Sequence, residues 1–467
     1  MRRVAGFAAG AALAFGGAAP ARAAAATLLP HADVQGPDVE TAELRPAGGA
    51  WREVAWADLA RTPLAVGRYE LRARFTRVDR GGAVEVPACA GRKTIRVDGH
   101  AVAGPPGPVV VPVEAGDHEV TIGVDVSKYE RRVACGEPVR AGAARETTEG
   151  LGEIAFESPH AAQGGGRAVV FVPPGHDLGD GDALLVGLHP WNGTPWTYAA
   201  YGELLREARA RDVILLMPSG LGNSLYTADA EDEALRAIDA LAGLRPGRPL
   251  RVSLWGASMG GAGATTIGFH HPDRFAGVTS FFGDSQYDLS TYVHAILRDP
   301  AAAHAVNALD VVDNARSLPV WLIHGEDDAT SPIRQSEILA DAMKQRGFRV
   351  RFDRVAGFGH AGALVARFLS ELVATAAAAA PVVPARVTYW SVRPSDLGAY
   401  GVRLDRASAR DDAFVDVERR ADGVHVLRAD GVRAITLAPG ALGAPVDAPI
   451  VVDARPPVPA TWARPAR

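Results

Sequence analysis

Leu254-Trp255-Gly256-Ala257-Ser258-Met259-Gly260-Gly261 is the stretch on which the fold turns. It spells G-x-S-x-G between an apolar run, Leu250 to Trp255, and a helix-like pattern, Met259 to His271. A buried strand that bends at once into a helix leaves the serine hydroxyl exposed on a strained turn. Gly256 and Gly260 fit that bend because strand and helix pass too close for a Cβ. The motif by itself is common in a glycine-rich chain; the strand before it and the helix after it make it specific.

Strand-like runs alternate with helical ones on both sides. Ala168–Val172, Ala183–Leu188 and Val213–Met217 precede the serine, with helical stretches Thr197–Arg211 and Glu231–Leu244 between or after them. Gly277–Phe282, Pro319–Ile323 and Arg349–Val355 follow it, with helical stretches Ile333–Arg346 and Ala361–Thr375. Strands and helices in alternation predict a mostly parallel sheet covered on both faces, with chemistry at the carboxyl ends of the strands. The connection from Gly283 to Val312 has little strand character and reads as partly helical.

A serine hydroxyl is a weak nucleophile and needs a histidine base, itself oriented by a carboxylate. Two loops downstream of Ser258 carry such groups. The strand Pro319–Ile323 runs into His324-Gly-Glu326-Asp327-Asp328-Ala-Thr-Ser331-Pro332, and the next strand runs into Gly357-Phe-Gly-His360. Ser219 and Ser285 lack an elbow and read as turn residues; His270 and His271 follow the elbow helix and read as structural.

With G-A-S-M-G-G, H-G-E-D-D-x-x-S-P and G-F-G-H in this order, residues 165 to 375 resemble the α/β-hydrolase superfamily. The nearest groups are secreted esterases and the catalytic domains of the prolyl oligopeptidase family. The resemblance implies Ser258 as nucleophile, His360 as general base and Asp328, the last position of the H-G-x-x-D motif, as the acid. Asp327 and Glu326 stay open as alternatives. It also implies an oxyanion hole from two backbone N–H groups. One is that of Met259, after the nucleophile. The other comes from the loop His189-Pro190-Trp191-Asn192-Gly193, where relatives usually have His-Gly. Proline has no N–H, so the donor expected here is Trp191.

At 467 residues the chain is too long for one core. Residues 24–150 show period-two runs such as Tyr69–Phe75 and Val120–Val126 with Asp-Gly and Pro-Gly turns, which predict an antiparallel sandwich. Their order resembles the galactose-binding-like jelly rolls appended to many secreted hydrolases. The expected division is a sandwich over 24–150, the α/β-hydrolase domain over 151–378, an Ala/Pro linker over 379–386, and a small β-domain over 387–467. Its Pro- and Arg-rich tail from Arg455 is expected to be disordered.

Met1-Arg2-Arg3, the apolar run Val4–Ala19 and Ala21-Arg-Ala23 read as a signal peptide cleaved near Ala23, hence a secreted or periplasmic protein. The run is short and no stop-transfer pattern follows, so a membrane anchor is not expected. Both cysteines, Cys89 and Cys135, fall in the sandwich. In an exported protein they predict a disulfide rather than two free thiols, stabilising by roughly 4 kcal/mol on the chain-entropy model. A formal net charge of −5 is too small to suggest a nucleic-acid partner. Neither a phosphate loop nor a metal-ligand spacing is present, so no cofactor and no metal are expected. The substrate expected is an ester, monomeric or carried on a polysaccharide or polyester. Two alternatives remain: a peptidase of prolyl oligopeptidase type, and a non-catalytic polymer-binding protein on the same fold.

Overall fold

The computed structural model describes residues 26–160, 165–176, 182–244, 249–290, 297 and 300–463. The leader expected over 1–23 lies outside them, as does part of the 283–312 connection. The chain divides into two compact units, Ala23–Pro381 and Val382–Arg467.

The first unit is built on a nine-stranded sheet. Its strands, in chain order, are β1 (Thr27–Leu29), β2 (Gly150–Glu157), β3 (Gly165–Val172), β4 (Ala183–Leu188), β5 (Val213–Pro218), β6 (Arg251–Ala257), β7 (Gly277–Phe281), β8 (Val320–Gly325) and β9 (Val350–Val355). They lie in the order β1-β2-β3-β5-β4-β6-β7-β8-β9. The first three strands run antiparallel to their neighbours, and the pairs from β5 to β9 are parallel. This is an α/β-hydrolase sheet. Every residue of β4, β5 and β8 is buried, as a parallel sheet covered on both faces requires.

The longer helices are α1 (Gly202–Ala210), α2 (Asp229–Gly243), α3 (Met259–His270), α4 (Arg334–Gln345) and α5 (Gly362–Ala378). Leu204, Leu205, Leu364 and Leu369 of α1 and α5 share one core with Leu185, Leu215, Trp255, Phe281 and Ile323. The alternate residues Leu184, Leu216, Leu254 and Val278 are equally buried. They face the other layer, where α3 packs so closely that a Cβ on Gly268 would meet Val278. In place of one helix over 197–211, a 3-10 turn at Tyr198–Ala200 precedes α1.

Between β1 and β2 the chain forms a sandwich of a six-stranded and a four-stranded sheet. The central antiparallel pair is Gly67–Val78 with Gly116–Val126, and its inward residues Leu71, Ala73, Val120 and Ile122 are buried. Alternation along these strands places arginines and glutamates on the outer face, where Arg72 pairs with Glu43 at 2.8 Å. Cys89 and Cys135 form a disulfide. The expected boundary at 150 does not isolate the sandwich. Thr27–Leu29 pairs with Glu153–Ala155 in the hydrolase sheet, so the chain contributes an edge strand there before it builds the sandwich.

The second unit has two four-stranded sheets around a core that includes Val387, Tyr389, Val415, Val426, Ile435 and Leu437. The strands expected over 402–453 are present, and three more join them: Gly398–Ala399, which pairs with Val402–Arg403, and two others. Arg386–Ser391 pairs with Ala413–Glu418, and Ala460–Trp462 pairs in parallel with Ile435–Leu437. The tail expected to be disordered from Arg455 is therefore a strand at Ala460–Trp462, held also by the Trp462 indole N–H donating to the Ala448 carbonyl at 2.9 Å. Composition misled there: residues 460–464 hold no proline, and a parallel edge strand needs only three residues.

Candidate active site

Ser258 stands between β6 and α3 with φ 57° and ψ −120°, a conformation that residues other than glycine seldom adopt. Its N–H donates to the Phe281 carbonyl at 2.9 Å. A Cβ on Gly256 would lie 2.3 Å from the Gly260 backbone, and one on Gly260 would lie 1.8 Å from the Leu188 carbonyl oxygen. The three backbones meet with no room for a side chain, and the bend is fixed by steric exclusion.

Tyr198 locks the same junction, and nothing in the sequence pattern announced it. Its buried hydroxyl donates to the Leu188 carbonyl at 2.7 Å and accepts the Ala257 N–H at 2.9 Å. One phenol thereby ties the end of β4 to the end of β6. Burial pushes this phenol well above its ordinary range, so it stays neutral.

His360 follows β9. Its Nε2 lies 2.8 Å from Ser258 Oγ, and its Nδ1 lies 2.7 Å from Asp328 Oδ2. Asp328 is buried, whereas Asp327 and Glu326 are exposed; Glu326 instead pairs with Arg354. Asp328 Oδ1 accepts the N–H groups of Thr330 and Ser331 at 2.8 and 2.9 Å. Burial acts to raise the Asp328 carboxyl. Hydrogen bonding to His324 and His360, the nearby imidazole charge and the Ser331 N–H outweigh it and hold the group well below the usual carboxylate range. His324 is a second residue that spacing did not reveal. Its Nε2 donates to the Ser331 carbonyl at 2.8 Å and lies 3.5 Å from Asp328 Oδ2, while Nδ1 bonds the Ser336 hydroxyl. The acid turn is therefore closed on itself.

The oxyanion candidates emerge from an inventory of N–H groups. Met259 opens α3, and the first turn of a helix has no internal acceptors for its N–H groups. In the loop after β4, the His189 N–H donates to Tyr226 Oη, Asn192 to Asn223 Oδ1 and Gly193 to the Pro190 carbonyl. Pro190 has none. Trp191 is left as the loop's N–H with no protein acceptor among the described residues. Its indole is 38% exposed and lines the cleft over Ser258. Phe282 closes one side, its ring centroid 4.5 Å from that of His360.

The other residues weighed in the sequence lie elsewhere in the hydrogen-bond network. The Ser285 hydroxyl donates to the Gln335 carbonyl, the Ser219 carbonyl accepts from His189, and His271 bonds Glu231 at 2.7 Å.

The geometry is that of a hydroxyl within reach of an imidazole whose other nitrogen is held by a buried carboxylate, which can carry acyl transfer. Residues 226–378, which include all three groups, match the model of the prolyl oligopeptidase family. This chain is a serine hydrolase whose residues 226–378 are similar to that family. Similar solved structures include an S-formylglutathione hydrolase from Agrobacterium tumefaciens, 19% identical, covering 50% of this chain and 96% of that one with a TM-score of 0.43. An acylaminoacyl peptidase from Pyrococcus horikoshii is 16% identical, over 48% of this chain and 40% of that one, with a TM-score of 0.40. A ferulic acid esterase from Anaeromyces mucronatus is 14% identical, over 48% and 89%, with a TM-score of 0.37. No curated protein matches the chain. Among the described residues, no helix of the hydrolase is long and apolar enough to cross a membrane.

Proposed function

We propose that this chain is an exported hydrolase that cleaves carboxylic esters through an acyl-enzyme on Ser258. His360 takes the Ser258 proton as Oγ attacks the carbonyl carbon, and Asp328 holds the imidazolium that forms. The N–H groups of Met259 and Trp191 stabilise the oxyanion. The tetrahedral adduct collapses with loss of the alcohol, to which His360 returns the proton. Water then attacks the acyl-enzyme by the same route and releases the acid. The observation that carries this reading is the continuous chain from Ser258 Oγ through His360 to Asp328, with 2.8 and 2.7 Å separations.

The lining of the cleft favours an ester over a peptide with a free amino terminus. Of the described residues around it, Glu130 is the sole carboxylate. Its oxygens already serve the Tyr201 hydroxyl at 2.8 Å and Arg132 Nε at 2.5 Å. A substrate ammonium would need an unengaged carboxylate. A peptidase acting on short peptides is the second reading, favoured by the family match over residues 226–378. Export is supported by the basic and apolar leader and by the Cys89–Cys135 disulfide.

The experiment is labelling with a fluorophosphonate, wild type beside Ser258→Ala, followed by turnover of p-nitrophenyl acetate, butyrate and octanoate against a chromogenic prolyl peptide. We expect labelling that vanishes in the variant, together with ester turnover well ahead of peptide turnover. Faster peptide turnover would transfer the enzyme to the peptidases.

A further inference from the structure

The cleft over Ser258, about 930 Å³ in volume, is walled on one side by the N-terminal sandwich and not by the hydrolase fold alone. The segment after Val126 carries this wall. The Tyr129 carbonyl accepts the Gly362 N–H at 2.8 Å, two residues past His360. Arg132 Nη2 donates to the Gly362 carbonyl at 3.4 Å, and Glu130 takes the Tyr201 hydroxyl. A Cβ on Gly362 would fall 2.0 Å from Glu130 Oε2. The segment is thus anchored to the loop that presents the catalytic imidazole.

The Tyr129 side chain takes no part in that anchoring. Its ring is 43% exposed, lines the cleft, and stands edge-on to His360 with centroids 6.0 Å apart. The Lys128 ammonium sits 4.7 Å from the centroid and orients it. A large aromatic ring half-open to solvent beside the general acid–base lacks a structural reason. The position beside His360 gives it a functional one. In acyl transfer the imidazole delivers its proton to the leaving oxygen, so whatever flanks the imidazole flanks the leaving group.

We propose that Tyr129 is a specificity-determining residue for the leaving group, a platform against which an aryl alcohol packs as it departs. The proposal rests on the ester reading and on Ser258 and His360 acting as assigned above. Ser258 Oγ bonds to the acyl carbon, the bond from that carbon to the aryl oxygen breaks, and the proton from Oγ reaches the aryl oxygen through His360. Offset or edge-on ring contact gives the aryl group an advantage that an alkyl group or a halide lacks.

The test uses the full-length protein and two phosphonylating agents that leave the same phenyl alkylphosphonyl adduct on Ser258: a diphenyl alkylphosphonate, which expels phenol, and the matching phenyl alkyl fluorophosphonate, which expels fluoride. Second-order inactivation rates are compared for wild type, Tyr129→Ala and Tyr129→Phe. Tyr129→Ala should lower the diphenyl rate about three- to tenfold more than the fluorophosphonate rate, and Tyr129→Phe should restore it. The intrinsic reactivity of each reagent cancels in the comparison of variant with wild type. Equal losses with both reagents would mean that Tyr129 only supports the His360 loop, and no loss with either would mean that it does nothing; each overturns the proposal. Failure of the ester assignment would appear instead in the turnover panel, with these ratios unaffected.

Discussion

The two segments that converge on His360 are built on opposite principles. The elbow around Ser258 is mainly local: three backbones meet, glycine is compulsory at 256 and 260, and the tightest steric contacts lie between residues 256 and 260 and the Leu188 carbonyl, with Tyr198 and the Phe281 carbonyl adding hydrogen bonds. The sandwich segment Tyr129–Arg132, itself braced by the Arg132–Glu130 ion pair, is held to Gly362 across some 230 residues of chain by hydrogen bonds. A local constraint leaves a motif in the sequence, whereas one between distant segments leaves only ordinary residues. The elbow should therefore fail by catalysis or by folding outright, and the sandwich contact by degrees.

The largest effect separates the acid from its neighbours. Asp328→Asn should lower kcat on the order of 10⁴-fold, since an amide leaves the imidazole without its charge partner and in the wrong tautomer. Asp327→Asn, at an exposed position whose anchoring contact is its backbone N–H to the Phe358 carbonyl, should change kcat less than about threefold. Steady-state rates on p-nitrophenyl butyrate would decide this, and equal losses would return the acid assignment to all three neighbours. Stability adds a second reading. The folded-state pKa of Asp328 is depressed, so the group contributes stability above the ordinary carboxylate pKa of about 3.9 and loses it as pH falls through the lower folded value. Wild type should show that acid-side loss below about pH 4, and Asp328→Asn should show less of it.

Next is Gly260→Ala. The added carbon would meet the Leu188 carbonyl oxygen at 1.8 Å, backbone against backbone, with no flexible side chain to yield. We expect a loss of about 3 kcal/mol or more in unfolding free energy, read by urea denaturation. Unchanged stability would mean that the β4–β6 approach is looser than described.

The same contrast explains what was legible in the sequence. The sheet, the serine, the acid turn and the histidine loop each follow from a pattern within about ten residues. The inner α/β strands could be read because they are buried on both faces and so nearly uniformly apolar, and most helices because their apolar residues recur on one face. Tyr198 escaped because a tyrosine before a helix reads as packing until its hydroxyl is seen between Leu188 and Ala257. Tyr129 and Glu130 escaped because the sandwich reads as a separate domain, whereas the pairing of Thr27–Leu29 with β2 and the hydrogen bonds to Gly362 and Tyr201 join it to the catalytic part. At the other end, proline content concealed the strand Ala460–Trp462, whose register is set by a partner 25 residues upstream.

The smallest predicted effect tests the distant contact itself. Arg132 pairs with Glu130 at 2.5 Å, donates to the Ala60 carbonyl at 2.9 Å and reaches the Gly362 carbonyl, with both charged side chains largely buried. Arg132→Ala should cost roughly 1–3 kcal/mol, because Glu130 then keeps only the Tyr201 hydroxyl. Arg132→Lys should recover little, since a single ammonium cannot reach carboxylate and both carbonyls in a planar fork. If the sandwich holds the His360 loop, kcat should fall a few-fold in Arg132→Ala with KM nearly unchanged, as a displaced base weakens the transition state more than substrate binding. A stability loss with kcat intact would make the contact mere cement between sandwich and sheet. A fall in kcat would show that a domain without a catalytic group sets the position of one.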